Sequence, residues 1–288
     1  MQITSKMIAE LRARTQAGMM DCKKALEEAG GDMEKAGEIL RKKGMAKAEK
    51  RADRSASQGL VVIEAAHDHH AAAMIELNCE TDFVARTADF IALAGELAKL
   101  AAHEAPIGDN AGTMLDGQKL RGSTVAEVIK VASGTTGEAM ALKRVARFEQ
   151  PTGIVSHYLH HNGQVGVLVE IEGAKGEPLS QLAKDIAMHV ASHDPVPLAV
   201  TEKDLPTELL DRERRIAEEQ VAEEGKPENI RPKIVEGKVK KFISDRTLLG
   251  QKFVRDDSKT IADLITEAGK AAGGAFTVRR FARFKVGE

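Results

Sequence analysis

Two stretches of the chain repeat each other in a single register. Thr124 to Ile129 (TVAEVI) aligns with Thr260 to Ile265 (TIADLI), and Leu142 to Phe148 (LKRVARF) with Val278 to Phe284 (VRRFARF), both 136 positions apart without a gap. An earlier pair repeats at a spacing of 94: Gly59-Leu60-Val61 with Gly153-Ile154-Val155, and Ala73 to Leu77 (AMIEL) with Val167 to Ile171 (VLVEI). Self-similarity of this kind requires one small unit to fold twice, so the two copies must share their elements. The β-branched and aliphatic runs read as strands, each preceded by a His-containing turn. Ile91 to Ala102 and Leu179 to Ala191 follow as helical patterns, ending near Pro106 and Pro195. Leu142, Arg144, Ala146 and Phe148 alternate with Lys143, Val145 and Arg147, which predicts a closing strand with the first set on one face. The expected fold class is α+β, with a core made by duplication.

The copies differ in two places, and neither difference is needed for the shared fold. Copy one carries extra residues after its strand, Cys79 to Arg86 (CETDFVAR). Copy two carries an insertion between Pro195 and about Ser258. Within it, Glu208 to Glu224 is heavily charged with a narrow seam of Leu209, Ile216 and Val221, and Ile234 to Ile243 carries a second seam after a turn at Gly225-Lys226-Pro227. This predicts an antiparallel helical hairpin, with Pro232 delaying or kinking the start of its second helix. Before the repeats, the first fifty residues predict three short helices. Their apolar positions recur at three and four residues, Gly18 and Gly30-Gly31 separate them, and Asp32 is placed to cap the third. Lys47 to Ser57 then reads as a linker. The resulting division is 1–55 for the helical module and linker, 56–150 for copy one, and 151–288 for copy two with its hairpin at about 205–245.

With 288 residues the chain has room for several small units. A formal net charge of −2 with interspersed signs, and no Trp with a single Tyr, argue against a nucleic-acid surface or a base-stacking platform. Two distant cysteines do not make a disulfide framework, no signal-like block opens the chain, and no apolar run nears the roughly 18 residues that span a bilayer. A cytoplasmic protein without membrane contact is expected.

No phosphate cradle is present: Gly134-Thr-Thr-Gly137 lacks the following Lys and Ser/Thr, and no G-x-G-x-x-G follows a strand. His67, His69 and His70, and again His157, His160 and His161, fall at matching turns, where a polar turn accounts for them better than a metal. Cys79 directly follows a strand, as a small buried hydrophobe does more often than a nucleophile. Neither catalysis nor a cofactor or metal is therefore expected. Met19 and Met20 cannot both face one core, so one of them is expected on the surface. Phe83 lies in an insertion that only one copy has, flanked by Thr81, Asp82 and Arg86. It is either a plug for its own domain or an exposed wedge, and one buried Phe contributes about 1.5–3 kcal/mol to an interface.

Leu11 to Leu26 (LRARTQAGMMDCKKAL) closely resembles the amino-terminal signature of the elongation factor Ts family, and Asn78 to Arg86 (NCETDFVAR) resembles its second signature. Ile186 to Val190 and Glu236 to Phe242 are similar to its core and hairpin segments, so the resemblance spans essentially the whole chain. It implies a module similar to ubiquitin-associated domains, a duplicated core and a coiled-coil insertion. It also implies a partner, the GTPase elongation factor Tu in GDP-bound and nucleotide-free forms, and a role in nucleotide exchange rather than catalysis. By resemblance, Thr81, Asp82, Phe83 and Val84 form the element that intrudes beside the partner's nucleotide site. Arg12, Met19, Met20 and His160 match other contact positions. Any pairing of two copies is expected through the hairpin or the core. Two departures stand out. Gln16 replaces a common Gly, and the sequence ends at Val286-Gly-Glu288 without a helix that some members add, so any grip made by that helix is expected to be missing. The runner-up is an adaptor or chaperone-like binding module without exchange activity.

Overall fold

In the computed structural model, which describes residues 3–15, 17–51, 53–108, 112–225 and 227–288, the elements follow one another as two similar series behind a helical leader. The leader is α1 (Ser5–Thr15), α2 (Met19–Glu28) and α3 (Met33–Glu49). The first series is β1 (Gln58–Ala65), β2 (Ala71–Cys79), α4 (Asp82–Ala85), α5 (Ala88–Glu104), β3 (Lys119–Leu120), β4 (Ser123–Thr124), α6 (Val125–Thr136) and β5 (Met140–Glu149). The second is β6 (Gly153–Leu159), β7 (Val165–Glu172), α7 (Glu177–Ser192), α8 (Thr207–Glu223), α9 (Arg231–Arg246), β8 (Lys252–Phe253), β9 (Asp256–Thr260), α10 (Ile261–Ala272) and β10 (Thr277–Lys285). The class is α+β.

Each series builds a three-stranded antiparallel sheet with its second strand central, in the orders β1-β2-β5 and β6-β7-β10. The central strands are apolar on both faces because both faces are covered. Ala73, Ile75, Leu77 and Cys79 point at Phe90, Leu93 and Leu97 of α5 and Val128 of α6. Val167, Val169 and Ile171 point at Leu179, Leu182 and Ile186 of α7 and Ile261 of α10. On the opposite faces, Val61, Ala72, Met74, Ala146 and Phe148 of one sheet meet Val155, Leu168, Ala282 and Phe284 of the other. The layers therefore run helices, sheet, sheet, helices. Gly166 permits the close approach of the sheets, since a Cβ there would come within 2.5 Å of Val61 Cγ1 and 2.8 Å of Met74 Sδ.

The closing strands depart from the simple alternation predicted for them. The β2–β5 register shifts between Glu76 and Leu77, where Lys143 is the extra residue, and β10 shifts at the matching place between Val278 and Arg280. A bulge flips the face of everything on one side of it. Leu142 consequently packs with Met140 and Val145 on the helix side, while Ala146 and Phe148 keep the inter-sheet side. Beside the bulges the copies interlock. Arg144 Nε donates to Glu76 Oε2 at 2.6 Å, and Arg280 Nε to Glu170 Oε2 at 2.6 Å. Arg144 lies 4.6 Å over the ring of Phe284, and Arg280 lies 4.4 Å over Phe148. Each copy's arginine thus neutralises its own buried carboxylate and stacks on the other copy's phenylalanine.

In the leader, Leu11, Cys22, Ala25, Leu26 and Ala36 form a small core, and Asp32 accepts from the N–H groups of Glu34 (3.0 Å) and Lys35 (3.1 Å) to start α3. That helix is not short: it has 17 residues and runs into the stretch predicted as linker. Its second half packs along α6, where Ala48 is buried, and so gains the tertiary support that an isolated helix lacks. Helices α8 and α9 pack through Ala217, Val221, Val235 and Val239. Pro232 neither delays nor kinks α9; it occupies the first turn, where a missing N–H costs nothing. Gln16 and Lys226, which figured in the sequence reading, lie outside the described residues. Among the described residues no helix is long and apolar enough to cross a membrane.

Candidate functional site: an exposed aromatic on a pinned tip

Strands β2 and β7 stand 94 residues apart but the caps of the helices after them, Thr87 and Gly176, only 89, leaving five extra residues in copy one. Those residues are α4 and its flanks. Thr81 caps α4, accepting the Val84 N–H at 3.3 Å, and its own hydroxyl donates to Glu138 Oε1 at 2.6 Å. The Thr81 N–H donates to Glu138 Oε2 at 3.0 Å, so one carboxylate holds this residue twice. Next to it, Glu80 accepts the Ala139 N–H at 2.7 Å and Arg54 Nη1 at 3.4 Å, and that backbone hydrogen bond holds its carboxyl below the usual range. At the far end, the Thr87 hydroxyl donates to the Val84 carbonyl at 2.8 Å and accepts the Phe90 N–H at 3.3 Å to start α5.

With both ends fixed, the four-residue turn has a settled inside and outside. Ala85 is buried and Val84 packs inward against the core of copy one. Asp82 is half-buried and pairs with Arg86 at 3.0 Å. Phe83 points out, 81 % exposed, the most exposed of the large apolar side chains among the described residues. The alternative of an aromatic plug is thereby excluded. Exposure of a whole Phe costs the free protein apolar surface in water, which a partner would recover.

Phe83, Thr81 and Asp82 share a cleft of about 760 Å³ with Asn162 and Gln164 of the β6–β7 turn. His160, half-buried on that turn, bonds to Asn162 Oδ1 at 2.6 Å and lies against the ring of His161. The fold thus brings the tip of copy one and the turn of copy two together across the sheet interface. Arg12, Met19 and Met20 lie elsewhere, on the surface of α1 and α2. Arg12 and Met19 line a shallow depression with Ala9 and Ala13. Both methionines are exposed, at 54 % and 63 %, not merely one of them, because Cys22, Ala25 and Leu26 already fill the inward face of α2.

The other candidates dissolve on geometry. His157 lies in β6 rather than on a turn, and among the described residues no group of His, Cys, Asp and Glu could hold a metal ion. The Cys79 thiol donates to the Thr81 carbonyl at 3.1 Å, and burial, with Glu138 nearby, pushes it up to about 11. A thiol so placed is an inert packing group at neutral pH. Sequence reasoning missed Glu138, Glu80 and Arg54. Nothing local marks Glu138, whose partner lies 57 positions away.

A family model described as Elongation factor TS matches residues 80–288. A protein named Elongation factor Ts from a Nitratiruptor species is 43 % identical over 293 residues, covering 100 % of this chain and 94 % of its own. Its namesakes from Thioalkalivibrio sulfidiphilus (44 % over 288 residues; 100 % and 93 %) and Prosthecochloris aestuarii (41 % over 287 residues; 99 % of each) agree. The chain belongs to the elongation factor Ts family. Membership places it in translation, and the five-residue difference between its copies is the segment that resembles the second signature of elongation factor Ts. The matched residues begin at Glu80, the first residue of the pinned segment.

Proposed function

We propose that this protein is a guanine-nucleotide exchange factor for the translational GTPase elongation factor Tu. The observation that carries the reading is Phe83, an aromatic side chain 81 % exposed on a turn whose neighbours on both sides are tied down. A rigid mount means that little ordering entropy opposes insertion of the ring into a partner. In this reading Thr81 sets the tip, Val84 anchors it, and Phe83 with Asp82 intrudes beside the partner's nucleotide site. Backbone displaced there costs Mg²⁺ and the phosphates their ligands. Linkage then requires that whatever tightens binding to the nucleotide-free partner loosens GDP by the same factor. Arg12, Met19, Met20 and His160 add contacts outside the wedge. Residues 1–55 serve as a module similar to ubiquitin-associated domains, 56–150 and 151–288 as the two core copies, and about 205–245 as a coiled-coil arm. The work takes place in the cytoplasm and forms no covalent intermediate.

The test is to mix catalytic amounts of the protein with elongation factor Tu loaded with fluorescent GDP and to follow release in a chase of unlabelled nucleotide. Substoichiometric acceleration is expected. Phe83→Ala should lower kcat/KM about 10- to 100-fold, from the 1.5–3 kcal/mol that one buried Phe contributes. Stable binding without accelerated release would replace this reading with the adaptor one, and full activity of Phe83→Ala would refute the wedge.

A further inference from the structure

The helix whose end pins the tip also carries the amino-terminal helices. α3 crosses α6 where Gly44 meets Gly134. A Cβ added at Gly134 would stand 2.6 Å from the carbonyl carbon of Gly44 and 2.7 Å from its Cα and oxygen, backbone atoms with nowhere to yield. The relation is not symmetric: a Cβ at Gly44 would meet Gly134 Cα at 3.6 Å, an ordinary contact. Glycine is the poorest helix former after proline, yet here it stands inside both helices at their crossing, where it lets the two backbones touch. Polar contacts flank the crossing. Arg41 Nη2 donates to Ser123 Oγ at 2.6 Å and lies 3.8 Å from Glu127, and Lys130 pairs with Glu49 at 3.0 Å. Just beyond the carboxyl end of α6, Glu138 and the Ala139 N–H hold Thr81 and Glu80. Ser133 Oγ ties that end back by donating to the Glu138 carbonyl at 2.5 Å.

We infer that Gly134 is a positioning residue for partner binding. Its contact with Gly44 fixes where α1 and α2 present Arg12, Met19 and Met20 relative to Phe83, and α6 is the common base of a two-point grip. The inference rests on the exchange-factor reading above. Two contact patches on one rigid base bind a partner as a unit, whereas a patch on a loose tether must be ordered at each encounter. The wedge itself does not touch the crossing, so loosening the crossing weakens capture of the partner and leaves the exchange step intact.

Two measurements on the full-length protein test this, one of them without the partner. Trypsin should reach the bond after Arg51 only when the α3 end lifts away, since Arg51 Nη1 is buried. Gly134→Ala should speed cleavage there about tenfold, raise the KM of exchange about tenfold and leave kcat unchanged, the signature of a lost rigid linkage. Alanine favours the helix more than glycine does, so these effects cannot come from a weakened α6. Gly44→Ala should change neither quantity. Adding Met19→Ser and Met20→Ser should raise KM in the parent but no longer in Gly134→Ala. If Gly134→Ala fails to fold, Lys130→Glu, on the exposed rim of the crossing, should move both quantities about two- to threefold, with Glu49→Lys restoring KM. Unchanged cleavage in Gly134→Ala, or equal effects of the two alanines, overturns the geometric claim whatever the exchange assay gives. Faster cleavage with unchanged KM overturns the positioning role while exchange stands. A parent protein without exchange activity removes the reading beneath the inference and the inference with it.

Discussion

His189 offers the sharpest quantitative test of the second copy's interior. Its ring is fully buried on α7. Val254 donates its backbone N–H to Nδ1 at 3.2 Å, so the proton sits on Nε2, which donates to Gln251 Oε1 at 2.9 Å. Gln251 in turn donates to the carbonyls of Pro195 (2.9 Å) and Asp245 (2.7 Å), so this neutral imidazole joins α7, the end of α9 and the β8–β9 turn. Burial, with His193 adjacent at 4.6 Å between ring centroids, pushes the ring down from 6.5 to about 4. The unfolded chain therefore takes up a proton before the folded one does. Stability is fully present above about pH 6.5, falls by about 1.4 kcal/mol per pH unit below it, and levels off near pH 4 after losing about 3 kcal/mol. Urea unfolding followed by the fluorescence of Tyr158, the one tyrosine and part of this same core, reads the relevant region. His189→Gln keeps a donor towards Gln251 but cannot titrate, so subtracting its curve cancels the carboxylates. The variant should be less stable by about 1–3 kcal/mol at pH 7.5, for the N–H of Val254 left without its acceptor. The gap should close by about 2–3 kcal/mol on going to pH 4.5. A gap that stays constant across that range would refute the neutral buried imidazole.

Other expectations follow from the same geometry. Phe83→Ala should change unfolding free energy by less than about 0.5 kcal/mol, as an exposed substitution does, while its exchange defect is large; equal damage to both would make the residue structural. Arg144→Met should cost about 3–5 kcal/mol because it strands the fully buried Glu76, and Arg280→Met less because Glu170 is slightly more open; urea titration of each, with Glu76→Gln added to Arg144→Met as a recovery, checks the order. Cys79, held near 11, is about 0.1 % thiolate at pH 8, so iodoacetamide should leave it unmodified in the folded protein and label it in urea, as mass spectrometry would read.

The pattern of the fold was legible because it is local and stated twice. The matching strands, the helices after them and the Asp32 cap depend on neighbours within a few residues, and duplication turned each weak signal into a pair. The tip was legible for a related reason: Phe83 sits in the segment where the copies disagree, and a residue the common fold does not require is free to serve a partner. The residues that hold the tip and seat α3 were not legible. Glu138 clamps Thr81 from 57 positions away, and Gly134 meets Gly44 across two helices. Neither residue type announces such a role, since a glutamate after a helix reads as surface and a glycine in a helix reads as a weak spot. The bulges after Leu142 and Val278 reversed the predicted face for a similar reason, because register belongs to a pair of strands and not to one. The sequence by itself determined the main strands and helices of the two copies and which segment stands apart from the repeat, since backbone propensity and periodicity act over one or two turns of chain. Only the tertiary structure decided that the sheets pack back to back through reciprocal arginines, that Phe83 points outward, and that α6 underlies both α3 and the pinned tip, since each depends on contacts between residues distant in sequence.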